Sequence, residues 1–223
     1  MSNKKFTILG KSNCSVAMIL ENLFLLFKDD FSVEIIKNME DSTDLKYIIP
    51  NIQICEFDIT NNAENIENEI NSNKCILGAF RTNSKLAIYT FFKKYNIKNE
   101  QFYTIISSES YVASTCSIGN GCIINHKCVI DSFSEINNFV TINRCSSVGH
   151  HTIIGEFTTI NPNCHIAGNC KIGKNVQIGM SCTIIDGLTI GDNSIIGANS
   201  FVNKDVPSNV LVYGNPAKII RNL

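Results

Sequence analysis

The sequence predicts a small α/β domain over residues 1–106, followed by a parallel β-helix over residues 107–223. From Ile118 to Val202 an aliphatic residue recurs at every sixth position without a gap. Before residue 106, short apolar segments typical of strands alternate with longer segments of helical periodicity. The composition, with 44% hydrophobic and 17% charged residues, is that of a folded globular protein.

Three kinds of position recur in each six-residue repeat of this chain. Directly after each aliphatic residue, most sites hold Gly, Asn or Asp, which tolerate positive φ, so we expect a tight corner there. Four residues after it, most sites hold a small or β-branched side chain. The aliphatic residues are all isoleucine or valine: Ile118, Ile124, Ile130, Ile136, Ile142, Val148, Ile154, Ile160, Ile166, Ile172, Ile178, Ile184, Ile190, Ile196 and Val202.

This pattern predicts a triangular coil of three hexads, with the aliphatic and the small residues pointing inward. Successive coils stack as parallel strands about 4.8 Å apart, and each buries its interior only against its neighbours. The chain has ten cysteines but no Cys-x-x-Cys pair and no zinc-like cluster, so we expect free thiols and no metal site. Six of them fit the small inward position: Cys116, Cys122, Cys128, Cys164, Cys170 and Cys182.

The N-terminal domain is predicted as a small parallel sheet with flanking helices. The expected strands are 6–10, 33–36, 74–79 and 102–106, and the expected helices are 16–27 and 86–95, with a further solvated helix over 61–73. The first strand ends at Gly10 and is followed by Lys11 and Ser12. A strand, a glycine turn and a helix start form a typical phosphate-binding site, although a tight turn without a ligand is equally compatible.

Charge and hydropathy exclude several classes of protein. Lysine and arginine number 19 against 20 acidic residues, so no basic excess indicates a nucleic-acid partner. No apolar run approaches the length of about 18 to 20 residues that spans a bilayer, and no signal-peptide core is present. We therefore expect a cytoplasmic location and no membrane span.

Three segments resemble the hexapeptide-repeat sugar O-/N-acyltransferases of the sialic-acid O-acetyltransferase and bacillosamine N-acetyltransferase type. They are the segment from Asn143 to Phe157 with its His150-His151 pair, then Ala167-Gly168-Asn169, and finally the ending Tyr213-Gly-Asn-Pro-Ala-Lys218. The resemblance implies that the helix is left-handed, that the N-terminal sheet is Rossmann-like, and that the chain forms a homotrimer with active sites between subunits. It also implies acetyl-CoA as the acyl donor.

The resemblance also implies roles for individual residues. His150 corresponds to the general base, and Asn143 to a residue that helps to hold the sugar. Ala167 and Gly168 correspond to the segment along the thioester and pantetheine arm, and Lys218 to the ending near the adenine of CoA. Gly10, Ser12 and Asn38 lie where the family's N-terminal domain binds its nucleotide sugar.

The sequence departs from the family at several of these positions. An acidic residue usually follows the catalytic histidine and orients it, whereas this chain has His151, which either orients His150 or acts as the base itself. The turn after the first strand also contains fewer glycines than the family's turn.

From the resemblance we expect an N-acetyltransferase acting on a nucleotide-linked amino sugar in surface-glycan biosynthesis. The alternatives are an O-acetyltransferase of sialic acid or another sugar hydroxyl, and a non-catalytic repeat module.

Overall fold

A computed structural model describes residues 4–38, 49, 51–58, 70 and 72–223. The chain divides into two compact units, Met1–Thr104 and Ile105–Leu223. This boundary lies two residues before the predicted one. Ile105 and Ile106 form a strand of the second unit, because they pair in parallel with Ile123 and Ile124 of the next coil.

The first unit is built around a four-stranded parallel sheet with the strand order β3-β2-β1-β4. Two 3-10 turns, Lys93–Tyr95 and Asn99–Gln101, follow the helix Thr82–Phe92. The sheet core is apolar, with Ile8, Leu9 and Ile35 fully buried. The strands and helices are β1 (Lys4–Leu9), α1 (Asn13–Phe27), β2 (Phe31–Lys37), β3 (Gln53–Asp58), β4 (Lys74–Leu77) and α2 (Thr82–Phe92).

Two features of this unit differ from the sequence-based prediction. Strand β3 was not predicted, because it lies at the edge of the sheet and only Ile54, Cys55 and Phe57 of its six residues are apolar. The segment 102–106 is not one strand, since Phe102 forms only an isolated bridge to Cys75. The helix predicted over 61–73 falls almost entirely outside the described residues.

The second unit is a parallel β-helix whose two-residue strands form three sheets, one on each face of a triangular prism. Every strand from β5 to β18 pairs with the strand 18 residues later, as in Val148 with Ile166 and Ile166 with Ile184. The strands are β5 (Ile105–Ile106), β6 (Tyr111–Val112), β7 (Ser117–Ile118), β8 (Ile123–Ile124), β9 (Val129–Ile130), β10 (Glu135–Ile136), β11 (Thr141–Ile142), β12 (Ser147–Val148), β13 (Ile153–Ile154), β14 (Thr159–Ile160), β15 (His165–Ile166), β16 (Lys171–Ile172), β17 (Gln177–Ile178), β18 (Thr183–Ile184), β19 (Thr189–Ile190), β20 (Ile195–Ile196) and β21 (Phe201–Val202).

The interior of the prism contains the residues that the repeat predicts. The aliphatic residues from Ile124 to Val202 form one continuous buried core. The small inward residues line it, and their polar atoms are paired: the Thr152 hydroxyl donates to the Ala167 carbonyl at 3.0 Å and accepts from the Cys170 N–H at 3.1 Å. All ten cysteines are free, and five of the six in this slot are buried, with Cys116 half-buried.

The corner geometry corrects one prediction. Positive φ occurs three residues after each aliphatic residue from Ile118 to Ile196, as at Phe133 (60°), His151 (57°) and Asn169 (58°), and not directly after it. Glycine directly after the aliphatic residue serves a different purpose. A Cβ on Gly149 would lie 2.6 Å from the backbone nitrogen of Gly168 in the next coil, so glycine there allows the coils to approach closely.

The prism ends in an antiparallel hairpin of β22 (Val210–Gly214) and β23 (Ala217–Asn222). Strand β22 continues the stack by pairing in parallel with β20. Among the described residues, no helix is long and apolar enough to cross a bilayer.

Candidate active site

The predicted base, His150, lies against the glycine one coil above it. The carbonyl of His150 accepts a hydrogen bond from the Asn169 N–H at 2.8 Å, which aligns the two coils at this corner. A Cβ built on Gly168 would lie 2.7 Å from Cε1 and 2.8 Å from Nε2 of His150. The imidazole edge that carries Nε2 therefore lies over the Cα of Gly168, and only glycine leaves room for it.

The backbone beside this imidazole offers a hydrogen-bond donor. The Gly168 N–H makes no hydrogen bond within the described part of the chain, whereas its neighbours Ala167 and Asn169 donate to Ile184 and His150. An unpaired N–H beside a base can stabilise negative charge that develops on a carbonyl oxygen. The structure thus places the His150 imidazole beside a backbone N–H that donates no hydrogen bond among the described residues.

His151 contacts His150 directly. The two Nδ1 atoms are 3.1 Å apart, within hydrogen-bond distance, and the rings meet nearly edge to face at 85°. The His151 ring also stacks on Phe133 of the coil below, with centroids 5.0 Å apart. His150 and His151, which we call the histidine pair, are both exposed, so both can meet a substrate or solvent.

The Asn143 side chain lies between coils of the β-helix. It is only 5% exposed. Its amide donates to the Ile160 carbonyl at 3.2 Å and accepts from the Asn125 amide at 3.2 Å. Asn143 is therefore part of an asparagine ladder between coils.

Lys218 lines a pocket of about 300 Å³ at the C-terminal end of the β-helix unit. Its other charged residues are Lys204 and Asp205, and its apolar wall includes Val206 and Ile219. Two lysines give the pocket a net positive charge, and the apolar wall can cover a flat ring.

The nucleotide-site candidates of the first unit lie at the carboxyl ends of β1 and β2. Gly10 has φ +76°, and a Cβ there would lie 2.6 Å from Ile88, so the turn requires glycine. The Ser12 N–H donates to the Gly78 carbonyl at 2.9 Å, which joins this turn to the end of β4. Asn38, half-buried, follows β2 directly.

An ion pair that the sequence did not predict lies at the same sheet edge. The Lys11 ammonium lies 3.1 Å from a carboxylate oxygen of Glu56, and Lys37 lies 4.0 Å from it. The Lys11 side chain is only 4% exposed, so its charge is held within the turn. Glu56 belongs to β3, the strand that the sequence did not reveal, and no sequence signal connected it to Gly10.

The six-repeat profile of the bacterial transferase hexapeptide family matches residues 151–184 and 169–204. No curated protein matches the chain by sequence. Several solved structures match nearly its whole length.

One is a histidine-to-asparagine variant of perosamine N-acetyltransferase from Caulobacter crescentus, in complex with CoA and GDP-perosamine. It is 20% identical, has a TM-score of 0.79, and the match covers 98% of this chain and 97% of that one. Another is the acetyltransferase domain of PglB from Neisseria gonorrhoeae in complex with acetyl coenzyme A, at 19% identity and a TM-score of 0.77, covering 98% and 100%.

A third similar structure is WeeI from Acinetobacter baumannii, at 19% identity and a TM-score of 0.73, covering 97% of this chain and 99% of that one. At these identities the likeness establishes the fold. The chain thus has the predicted architecture, a small Rossmann-like parallel sheet followed by a left-handed parallel β-helix of bacterial-transferase hexapeptide repeats.

Proposed function

We propose that this protein is an acetyl-CoA-dependent N-acetyltransferase that acts on a nucleotide-linked amino sugar, with His150 as general base. The observation that carries the proposal is the imidazole of His150 lying over Gly168, beside an unpaired backbone N–H. The names of the similar structures support the donor and the acceptor class, since two of them bind CoA or acetyl-CoA and one binds GDP-perosamine.

In the proposed reaction the acetyl group passes directly from sulfur to nitrogen. The amine attacks the thioester carbonyl carbon while Nε2 of His150 removes one amine proton. The negative charge on the carbonyl oxygen is stabilised by the Gly168 N–H. The C–S bond then breaks, and the CoA thiolate takes the proton from the imidazolium. General-base catalysis of this kind contributes roughly 10² to 10⁴ in rate.

The CoA arm is proposed to run along the corner that carries Ala167 and Gly168. Their backbone can approach the pantetheine closely, because neither has a side chain larger than a methyl group. We assign the nucleotide end of CoA to the pocket of Lys204 and Lys218, whose ammonium groups can pair with phosphate. No covalent acyl-enzyme is required, and so no cysteine takes part.

The acceptor's nucleotide is assigned to the sheet edge that carries Gly10, Ser12 and Asn38. The helix α1 begins at Asn13, and the first backbone N–H groups of a helix favour a phosphate. The Lys11–Glu56 ion pair at the same edge supplies an acceptor and donors for a base or a ribose.

The histidine pair lies on an exposed corner of the prism, which supplies one wall of the proposed substrate cleft. We therefore propose a homotrimer in which the neighbouring prism supplies the second wall, and a cytoplasmic role in surface-glycan biosynthesis. Sedimentation at micromolar concentration tests the assembly, and a stable monomer with full activity would contradict it.

The reaction is tested by thiol release from acetyl-CoA with a panel of nucleotide-linked 4-amino sugars, free sialic acid and water. Release with an amino sugar, and an acetylated amine in the product, is the expected result. Release only with a free sugar would replace the proposal with O-acetylation. No release with any acceptor, and no binding of CoA by calorimetry, would favour a non-catalytic module.

A further inference from the structure

We propose that His151 is a positioning residue that fixes the tautomer of His150, in the place where an acidic side chain would usually do so. The inference rests on the proposed function. It begins from the 3.1 Å contact between the two Nδ1 atoms, because at that distance one nitrogen must carry the proton and the other must accept it.

Only one of the two arrangements leaves His150 able to act as a base. If the His151 Nδ1–H donates, the neutral His150 ring carries its proton on Nε2, which is the nitrogen that lies over Gly168. If the His150 Nδ1–H donates, its Nε2 presents a free lone pair. The second arrangement requires His151 to be neutral with its own proton on Nε2. The proposed reaction uses this arrangement.

The surroundings hold the His151 ring in place. Its backbone has φ +57° at the corner, and its N–H donates to the Ser132 carbonyl at 3.0 Å. Its ring stacks on Phe133 from the coil below, at 5.0 Å between centroids. His150 is limited from above by the close contact with Gly168. Each ring of the histidine pair thus contacts a neighbouring coil, His151 at Phe133 and His150 at Gly168.

A neutral partner gives the site a specific dependence on pH. A proton on either ring of the pair leaves Nε2 of His150 protonated, because the charged ring donates through Nδ1 and the other ring keeps its Nε2–H. The charged side chains at this corner of neighbouring coils are Asp131 and Asp186, whereas Phe133 and Gly168, which contact the pair, are uncharged. Protonation of either ring therefore removes the base, so activity falls as the pH is lowered.

Three substitutions separate positioning from a structural role. In His151→Asn the amide oxygen can accept from the His150 Nδ1–H, and asparagine tolerates the left-handed backbone that it already adopts at Asn169. His151→Asp adds a carboxylate acceptor. His151→Ala removes the acceptor altogether. His126→Asn is the matched control, since His126 bonds Ser107 on a different corner of the prism.

The first measurement requires no substrate. Long-range ¹H–¹⁵N spectra of protein labelled at its four histidines report the tautomer of each ring. We expect His150 in the Nδ1–H form and His151 in the Nε2–H form, with His150 unchanged in His151→Asn but converted in part to Nε2–H in His151→Ala. An Nε2–H form of His150 in the unsubstituted protein would overturn the inference.

The second measurement is the pH profile of acetyl transfer. We expect His151→Ala to lose kcat on the order of 10²-fold with an unchanged KM for acetyl-CoA, and His151→Asn to stay within about tenfold of the unsubstituted protein. A carboxylate favours the imidazolium, so the acid limb of His151→Asp should lie roughly one pH unit above that of His151→Asn. His126→Asn should match the unsubstituted protein.

Equal kcat in His151→Ala and the unsubstituted protein, or coincident acid limbs in the aspartate and asparagine variants, would refute the positioning role. If the tautomers are as expected but the unsubstituted protein transfers no acetyl group, the proposed function fails and the positioning geometry stands.

Discussion

A methyl group at Gly168 should disable the proposed base while leaving the fold intact. In Gly168→Ala the new Cβ would lie 2.7 Å from Cε1 and 2.8 Å from Nε2 of His150, and ordinary contact begins near 3.4 Å. The imidazole must therefore move by about 0.7 Å. The nearest atoms to the new methyl group all belong to the His150 side chain, which is exposed and can turn outward.

The magnitude follows from this displacement. A misplacement of about 1 Å in a catalytic group costs on the order of 10²-fold, so we expect kcat to fall by roughly 10- to 100-fold. This loss corresponds to about 1.4 to 2.8 kcal/mol of transition-state stabilisation. The free energy of unfolding should change by less than about 1 kcal/mol, because the clash is with an exposed side chain and Gly168 does not have positive φ.

The assay compares initial rates of thiol release with the denaturant midpoint in the same preparation. Gly179→Ala is the matched control, because its Cβ would lie 2.5 Å from the backbone nitrogen of Ala198 on another corner. It should lower stability more than Gly168→Ala does and spare kcat. A Gly168→Ala protein with unchanged kcat would refute the placement of His150 over this glycine as the catalytic geometry.

Three further predictions concern other parts of the chain. His150→Asn should lower kcat by roughly 10²- to 10⁴-fold with an unchanged circular dichroism spectrum, and a loss below about tenfold would move the base elsewhere. Lys218→Ala should raise the KM for acetyl-CoA by roughly tenfold. If the KM for acetyl-dephospho-CoA, which lacks the 3′-phosphate, rises by the same factor in this variant, Lys218 does not contact the 3′-phosphate. Burial raises the pKa of Cys75 to about 12, so that thiol stays protonated through pH 9. Iodoacetamide at pH 8 should therefore label the exposed Cys14 and Cys145 first, and mass spectrometry showing Cys75 among the first labelled sites would contradict its burial.

The repeat made the β-helix predictable to the residue. An unbroken aliphatic period of six predicts stacked coils in which every sixth side chain points inward. The aliphatic residues from Ile124 to Val202 form this buried core. The stacking of His150 beneath Gly168 also followed from their 18-residue spacing, since one coil contains three hexads. Regular repetition converts sequence distance directly into spatial distance.

Side-chain orientation was less predictable. The resemblance implied that Asn143 helps to hold the sugar, but the sequence could not show that its amide would bond Asn125 and the Ile160 carbonyl between coils. The position of positive φ was also misassigned, because Gly, Asn and Asp occur for two reasons at a corner, for close approach of coils and for the left-handed turn. Composition alone does not separate these reasons.

In the first unit, long-range pairing limited the prediction. Glu56 meets Lys11 only because β3 and β1 both flank β2, and neither strand contains a motif that specifies the other. The contact between the Nδ1 atoms of His150 and His151 was likewise one of two possibilities, since adjacent residues at a corner can turn their rings together or apart.

The most direct test of the central claim is transfer of a labelled acetyl group from acetyl-CoA to a nucleotide-linked 4-amino sugar, followed by mass spectrometry of both acceptor and protein. We expect an acetylated amine with the unsubstituted protein, no acetylated protein at any time, and product formation lowered by roughly 10²- to 10⁴-fold with His150→Asn, which still binds CoA. Equal product formation by His150→Asn, or an acetylated cysteine that passes its group to the acceptor, would contradict this claim.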